Sequence, residues 1–89
     1  MQERYLEVTF RQGKPLAAYL YLPRALGVKS ARTTQAAPGI LVDFAANGAP
    51  IGLEITAPTQ VTLDQINTVL TTYHLAPMAP EDLAPIQAA

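Results

Sequence analysis

The 17 residues from Gly39 to Ile55, GILVDFAANGAPIGLEI, constrain this chain more than any other stretch. Ile40, Val42 and Phe44 alternate with Leu41, Asp43 and Ala45, and Ile51, Leu53 and Ile55 alternate with Pro50, Gly52 and Glu54. Strict alternation describes a strand with one buried face, because successive side chains point to opposite sides of a sheet. Asn47-Gly48 between the two runs is a strong hairpin signal, since both residues tolerate positive φ. A two-residue loop there places all six large apolar groups on one face, and a four-residue loop from Ala45 to Gly48 keeps that parity. A three-residue loop would set the apolar residues opposite Gly52 and Glu54, which burial disfavours.

The same parity places Asp43 and Glu54 together on the other face, with Asp43 opposite Gly52 and Glu54 opposite Leu41. The two acids are then diagonal neighbours, about 7–8 Å apart. Some glycosidase acid pairs span such a distance, but nothing in the sequence supplies the walls of a pocket around them. They read as the solvated side of a hairpin, with a small-ligand or metal site at Asp43 and Glu54 as the alternative.

A second alternating pair precedes this one. In RYLEVTFR, residues 4–11, Leu6, Val8 and Phe10 share a face, and in LAAYLYL, residues 16–22, so do Leu16, Ala18, Leu20 and Leu22. A three-residue turn at Gln12-Gly13-Lys14 brings both sets to the same side. Pro15 fits only a strand start or edge, and Pro15 and Pro50 read as the edge blockers of the sheet. ARTTQ, residues 31–35, is a weaker strand with AAPG as the following turn. If it pairs with Gly39–Phe44 through an even loop, Arg32 falls opposite Asp43.

After Pro58 the apolar spacing changes to that of a helix. Thr62 and Gln65 stand at capping-box positions, Val61 and Ile66 at those of a hydrophobic staple, and Asp64 in the first turn suits the helix dipole. Leu63, Ile66, Val69, Leu70 and Tyr73 form one apolar stripe, so a helix is expected from Leu63 to His74, packed on the sheet. His74, following the stripe, would favour the C-terminal dipole. The tail APMAPEDLAPIQAA reads as a proline-rich appendage with a frayed end. The expectation is an α+β domain over residues 1–76 with a tail at 77–89: a four- to five-stranded antiparallel sheet built from hairpins, with one C-terminal helix on its apolar face.

With 89 residues there is room for one domain, and 49% hydrophobic against 15% charged residues is the composition of a folded chain. There is no cysteine, so disulfides, thiolate ligands and thiol nucleophiles are excluded. Ser30 lacks the flanking glycines of a nucleophile elbow, and Gly48 and Gly52 precede neither a helix nor a lysine, so GAPIG is no phosphate loop. The charged N-terminus lacks the apolar run of a signal peptide, and no run is long enough to span a membrane. A cytoplasmic, non-enzymatic protein without cofactor or metal is expected.

Charge is uneven. The six basic residues, Arg4, Arg11, Lys14, Arg24, Lys29 and Arg32, all precede position 33, and only acids follow. They are scattered rather than aligned, so local neutralisation by neighbouring strands is favoured over a phosphate-binding stripe. Tyr19 and Tyr21 share the outer face, where they serve cross-strand packing, an oligomer interface or, in the alternative reading, stacking on nucleic-acid bases.

The order and spacing of LAAYLYL and APGILVDFAANGAPIGLEI resemble the domain-of-unknown-function 2283 family, short prokaryotic proteins, over residues 4–56. The resemblance rests on Leu20, Tyr21, Gly39, Asp43, Gly48, Gly52 and Glu54. Members often carry an acid just before the Leu-Tyr strand, where this chain has Ala17 and Ala18. They often carry acids in the second turn, where it has Ala45, Ala46 and Asn47. The resemblance implies no established activity, but some members are similar to proteins encoded beside ribonuclease-like toxins, which implies an antitoxin-like role. From the residues, the expected partner is a second copy or another protein, which the resemblance implies to be a neighbouring-gene product. Arg32, Asp43, Gly52, Glu54, Tyr19 and Tyr21 are the candidate binding residues.

Overall fold

The computed structural model describes residues 3–87. Five strands, β1 (Tyr5–Arg11), β2 (Lys14–Tyr21), β3 (Arg32–Ala37), β4 (Ile40–Phe44) and β5 (Pro50–Ile55), precede helix α1 (Leu63–Thr72). A 3-10 turn (Pro80–Leu83) and a short helix α2 (Ala84–Gln87) follow. All neighbours are antiparallel in one sheet of order β1-β2-β5-β4-β3, so the two hairpins join through β2 and β5. The α+β architecture expected from the sequence is the one observed.

Parity dictates the core. Ala18, Leu20, Ile40, Val42, Phe44, Leu53 and Ile55 are buried on the inner face, in one cluster with Ile66, Val69 and Leu70 of α1, and Ile51 is buried beside the bulge of β5. Each large apolar side chain removed from water there contributes about 1.5–3 kcal/mol before the entropy of ordering it is subtracted. Leu63 and Tyr73 pack partly against the same core, which completes the expected helix stripe.

The turns correct several expectations. Gln12 and Gly13 alone form the first turn, both at positive φ (53° and 78°), and Arg11 pairs with Lys14. A bulge beside Phe10 then restores the expected partners Val8–Ala18 and Leu6–Leu20. In the β4–β5 loop the Ala45 N–H donates to the Ala49 carbonyl, leaving three residues between them, and only Gly48 has positive φ (89°). Here too a bulge, between Asp43 and Phe44, absorbs the odd residue, so Asp43–Gly52, Val42–Leu53 and Leu41–Glu54 pair as expected. Burial of the apolar set decides the register, and the backbone spends an unpaired residue to meet it.

β3 extends to Ala37, and the turn shrinks to Pro38-Gly39. A bulge between Gln35 and Ala37 shifts its register by one, so Thr33 faces Asp43 and Arg32 faces Phe44. The expected Arg32–Asp43 pair is therefore not formed. Pro15 and Pro50 do not guard edges either, because β2 and β5 are interior strands. Pro15 lies outside the Ala18–Tyr21 stretch that pairs with β5, and Pro50 begins its strand, so neither missing N–H interrupts the ladder.

Helix α1 starts as expected. Thr62 accepts from the Gln65 N–H at 3.2 Å, and the Gln65 side chain accepts from the Thr62 N–H at 2.8 Å. Thr62→Ala should lower stability by about 1 kcal/mol through loss of this cap. Thr71→Ala, on the exposed face, should be neutral or slightly stabilising, since its hydroxyl only bonds back within the helix. Equal losses for the two in urea unfolding would contradict the cap. The helix ends at Thr72, two residues before the expected His74. His74 sits at φ 61° just past the C-cap Tyr73; its N–H donates to the Thr71 carbonyl and that of Leu75 to the Leu70 carbonyl. This is a Schellman closure, in which His74 takes the place usually held by glycine.

The tail is docked, not frayed, as far as it is described. Met78, Leu83 and Ile86 are buried in the same core. Asn67 clips the tail to α1, donating to the Met78 carbonyl at 3.1 Å and accepting from its N–H at 2.7 Å. Arg4 donates to the carbonyls of Ala76 and Pro77, which fastens the tail to the start of β1. Even so, the inner face is not fully covered: Phe10 and Leu16, near the first hairpin's tip, remain 50% and 53% exposed.

Candidate functional site

The outer face gathers most of the candidate residues. Tyr19 on β2 stands opposite Glu54, and Tyr21 opposite Gly52. Because Gly52 has no side chain, the Tyr19 ring lies diagonally across it, in the space a Cβ would occupy. The phenol then reaches the next strand and donates to Asp43 Oδ2 at 2.6 Å. Thr33, on β3, donates to Asp43 Oδ1. One carboxylate thus accepts hydroxyls from strands on both sides, and four strands are tied together through Tyr19, Gly52, Asp43 and Thr33.

The other tyrosines continue the layer. Tyr5 stacks on Tyr21 with centroids 4.6 Å apart, and Tyr19 meets Tyr21 at 4.6 Å in a tilted arrangement. The Tyr21 hydroxyl donates to Glu7 at 3.3 Å, and Arg24 lies 5.6 Å from the centroid of the Tyr21 ring. Glu54 lies on the same face between Tyr19 and Leu41, diagonal to Asp43 as expected. Arg32 is not part of this group. It lies over the Phe44 ring at 4.2 Å and donates to Thr34.

Burial is the main cause that raises the Tyr19 phenol well above its ordinary value of 10.0, followed by its hydrogen bond to Asp43 and the charge of that carboxylate. Tyr21 is raised as well, by desolvation first and then by Glu7. The neutral phenol is the form the fold favours. Its contribution is therefore complete below pH 10.0 and is lost as pH climbs from there toward the folded-state value. Denaturation midpoints should fall as pH rises above about 10, and Tyr19→Phe should flatten that fall. An unchanged slope in the variant would show that Tyr19 is not the coupled group.

Chemically, the Tyr19–Asp43–Thr33 group is a cross-strand hydrogen-bonded lock. Asp43 is engaged on both oxygens, and the Tyr21 ring contacts those of Tyr5 and Tyr19, while Tyr5 stays half exposed. Among the described residues, no group of three or more His, Cys, Asp or Glu comes together as a metal site. No described helix is long and apolar enough to cross a membrane.

Thr33, Tyr5, Glu7 and Arg24 complete this layer but are absent from the sequence-derived candidates. Parity could have found Thr33 only if the β3 bulge had been anticipated. A second feature has no sequence signal at all: a groove of about 410 Å3 between β3 and α1, lined by Gln35, Ala36 and Ala37 on one side and Gln65, Thr68 and Thr72 on the other. It exists because a strand and a helix distant in sequence lie side by side. In comparisons with known proteins, no family model, no curated protein and no solved structure matches this chain.

Proposed function

We propose that this protein works without catalysis, by contact with protein, most simply with a second copy of itself. The observation that carries this reading is a division of labour between surfaces. Tyr19, Asp43 and Thr33 on the outer face are tied to one another, whereas Phe10 and Leu16 are half exposed and Leu26 is 96% exposed. Apolar side chains left open in this way favour association, and a net charge of -1 offers little repulsion against it. An antitoxin-like role remains what the family resemblance implies.

Nucleic acid is a weaker candidate. Arg4 is engaged with the tail and Arg32 and Arg24 lie over aromatic rings, so these basic side chains form no common stripe. Light scattering after size exclusion at micromolar concentration should give a mass above that of one chain. A monomer that instead retards single-stranded RNA in low salt, and loses it as salt rises, would replace this reading with the nucleic-acid one.

A further inference from the structure

The two edges of the sheet differ. On β1, Glu7 and Arg11 place charges along the strand, and the tail lies close by, fastened through Arg4. On β3, the stretch Thr33–Ala37 carries neither charge nor proline, and β4 covers only one of its sides. Charge, proline, covering segments and bulges are the usual protections of an edge strand, and of these the stretch has only the bulge at Ala36. Directly beside it runs the groove shared with α1, whose lining is uncharged.

The ends of this edge carry opposite charges. A methyl group added at Gly39 would come within 3.1 Å of Val61, so the start of α1 lies by the β3–β4 turn, at the Ala37 end of the strand. Tyr73 packs edge-on against Phe44 at 5.4 Å, and Arg32 lies over that same ring, so the end of α1 lies by Arg32. Helix α1 is therefore antiparallel to β3. Arg32 marks one end of the open edge, and Asp64, exposed in the first helical turn one turn before the groove-lining Thr68, marks the other.

We propose that two copies of this chain join antiparallel through β3, making one continuous sheet in which Arg32 of each copy faces the partner's Asp64. The proposal rests on the reading of the protein as one that acts by protein contact, and names its partner and surface. A two-fold axis through the middle of the strand brings the Arg32 end of one copy to the Ala37 end of the other. The opposite charges then meet twice, because every contact in such an interface is repeated. Main-chain hydrogen bonds supply the pairing, as in other strand additions. Thr34, on the inner side of one strand, faces the uncharged groove of the other copy, and Arg32 swings from its own Phe44 ring across the seam to reach Asp64. An uncharged, small-residue strand suits its own copy, since no like charges are set opposite each other in the seam.

The test uses the full chain at micromolar concentration, with melting curves to establish that each variant is folded. The wild type should be a dimer whose β3 amides exchange more slowly as concentration rises. Arg32→Glu and Asp64→Lys should each raise the dimer dissociation constant by about tenfold or more, and the double variant should recover to within about threefold of wild type. Ala36→Lys, which puts a charge into the seam, should give a monomer, whereas Leu16→Glu at the hairpin tip should leave the dimer intact. A wild-type monomer would overturn the proposal. So would a dimer broken by Leu16→Glu and indifferent to Ala36→Lys, although protein contact as the mode of action would then stand. Failure of the double charge reversal to recover would overturn the Arg32–Asp64 contact.

Discussion

Val42→Asp is expected to abolish the cooperative unfolding transition. Val42 is 0% exposed at the centre of β4, between Thr34 and Leu53, and faces the core formed with α1. A carboxylate there would have no partner, and burying it uncompensated costs several kcal/mol even after neutralisation. A domain this small has about 5–10 kcal/mol of total stability, so one such change exhausts most of it. The neighbouring residue provides the contrast. Leu41 is half-buried on the outer face, opposite Glu54 and Gln35, and Leu41→Lys should change stability by no more than about 1 kcal/mol. Circular dichroism with urea titration separates the two. Loss of folding in Leu41→Lys with retention in Val42→Asp would mean that the faces of β4 are interchanged.

The second large effect belongs to Gly52. A Cβ there would collide with the hydroxyl end of the Tyr19 ring, so Gly52→Val must push the ring away and break its hydrogen bond to Asp43. The expected loss is about 1–3 kcal/mol, the range for overpacking a filled position. Valine is otherwise the better strand residue, so the sign depends on Tyr19 alone. In a Tyr19→Ala background, where the space is open, Gly52→Val should cost less than about 1 kcal/mol or should stabilise. Additive losses in the two backgrounds would show that Gly52 is required for some reason other than the ring that crosses it.

Both experiments also probe what was legible in the residues and what was not. Alternation in Tyr5–Arg11, Leu16–Leu22 and Gly39–Ile55 determined the strands, their inner faces and the central register, because a one-residue slip would bury Asp43 and Glu54. Thr62 and Gln65 determined where α1 begins, since both partners of a capping box lie within four residues of chain. Local chemistry and parity suffice for such features.

The tertiary structure decided the rest. Turn lengths at Gln12-Gly13 and at Asn47-Gly48 differ from those the alternation implies, because a bulge can absorb one residue without leaving a trace in the apolar pattern. The same kind of bulge near Ala36 exchanged Arg32 for Thr33 as the neighbour of Asp43. The tail docks because Asn67 and the core offer it partners from distant parts of the chain, which its prolines cannot reveal. The Tyr19–Gly52–Asp43 contact and the β3–α1 groove likewise depend on which strands end up adjacent. A strand's pattern records which side is buried; it does not record which strand, helix or second chain lies alongside.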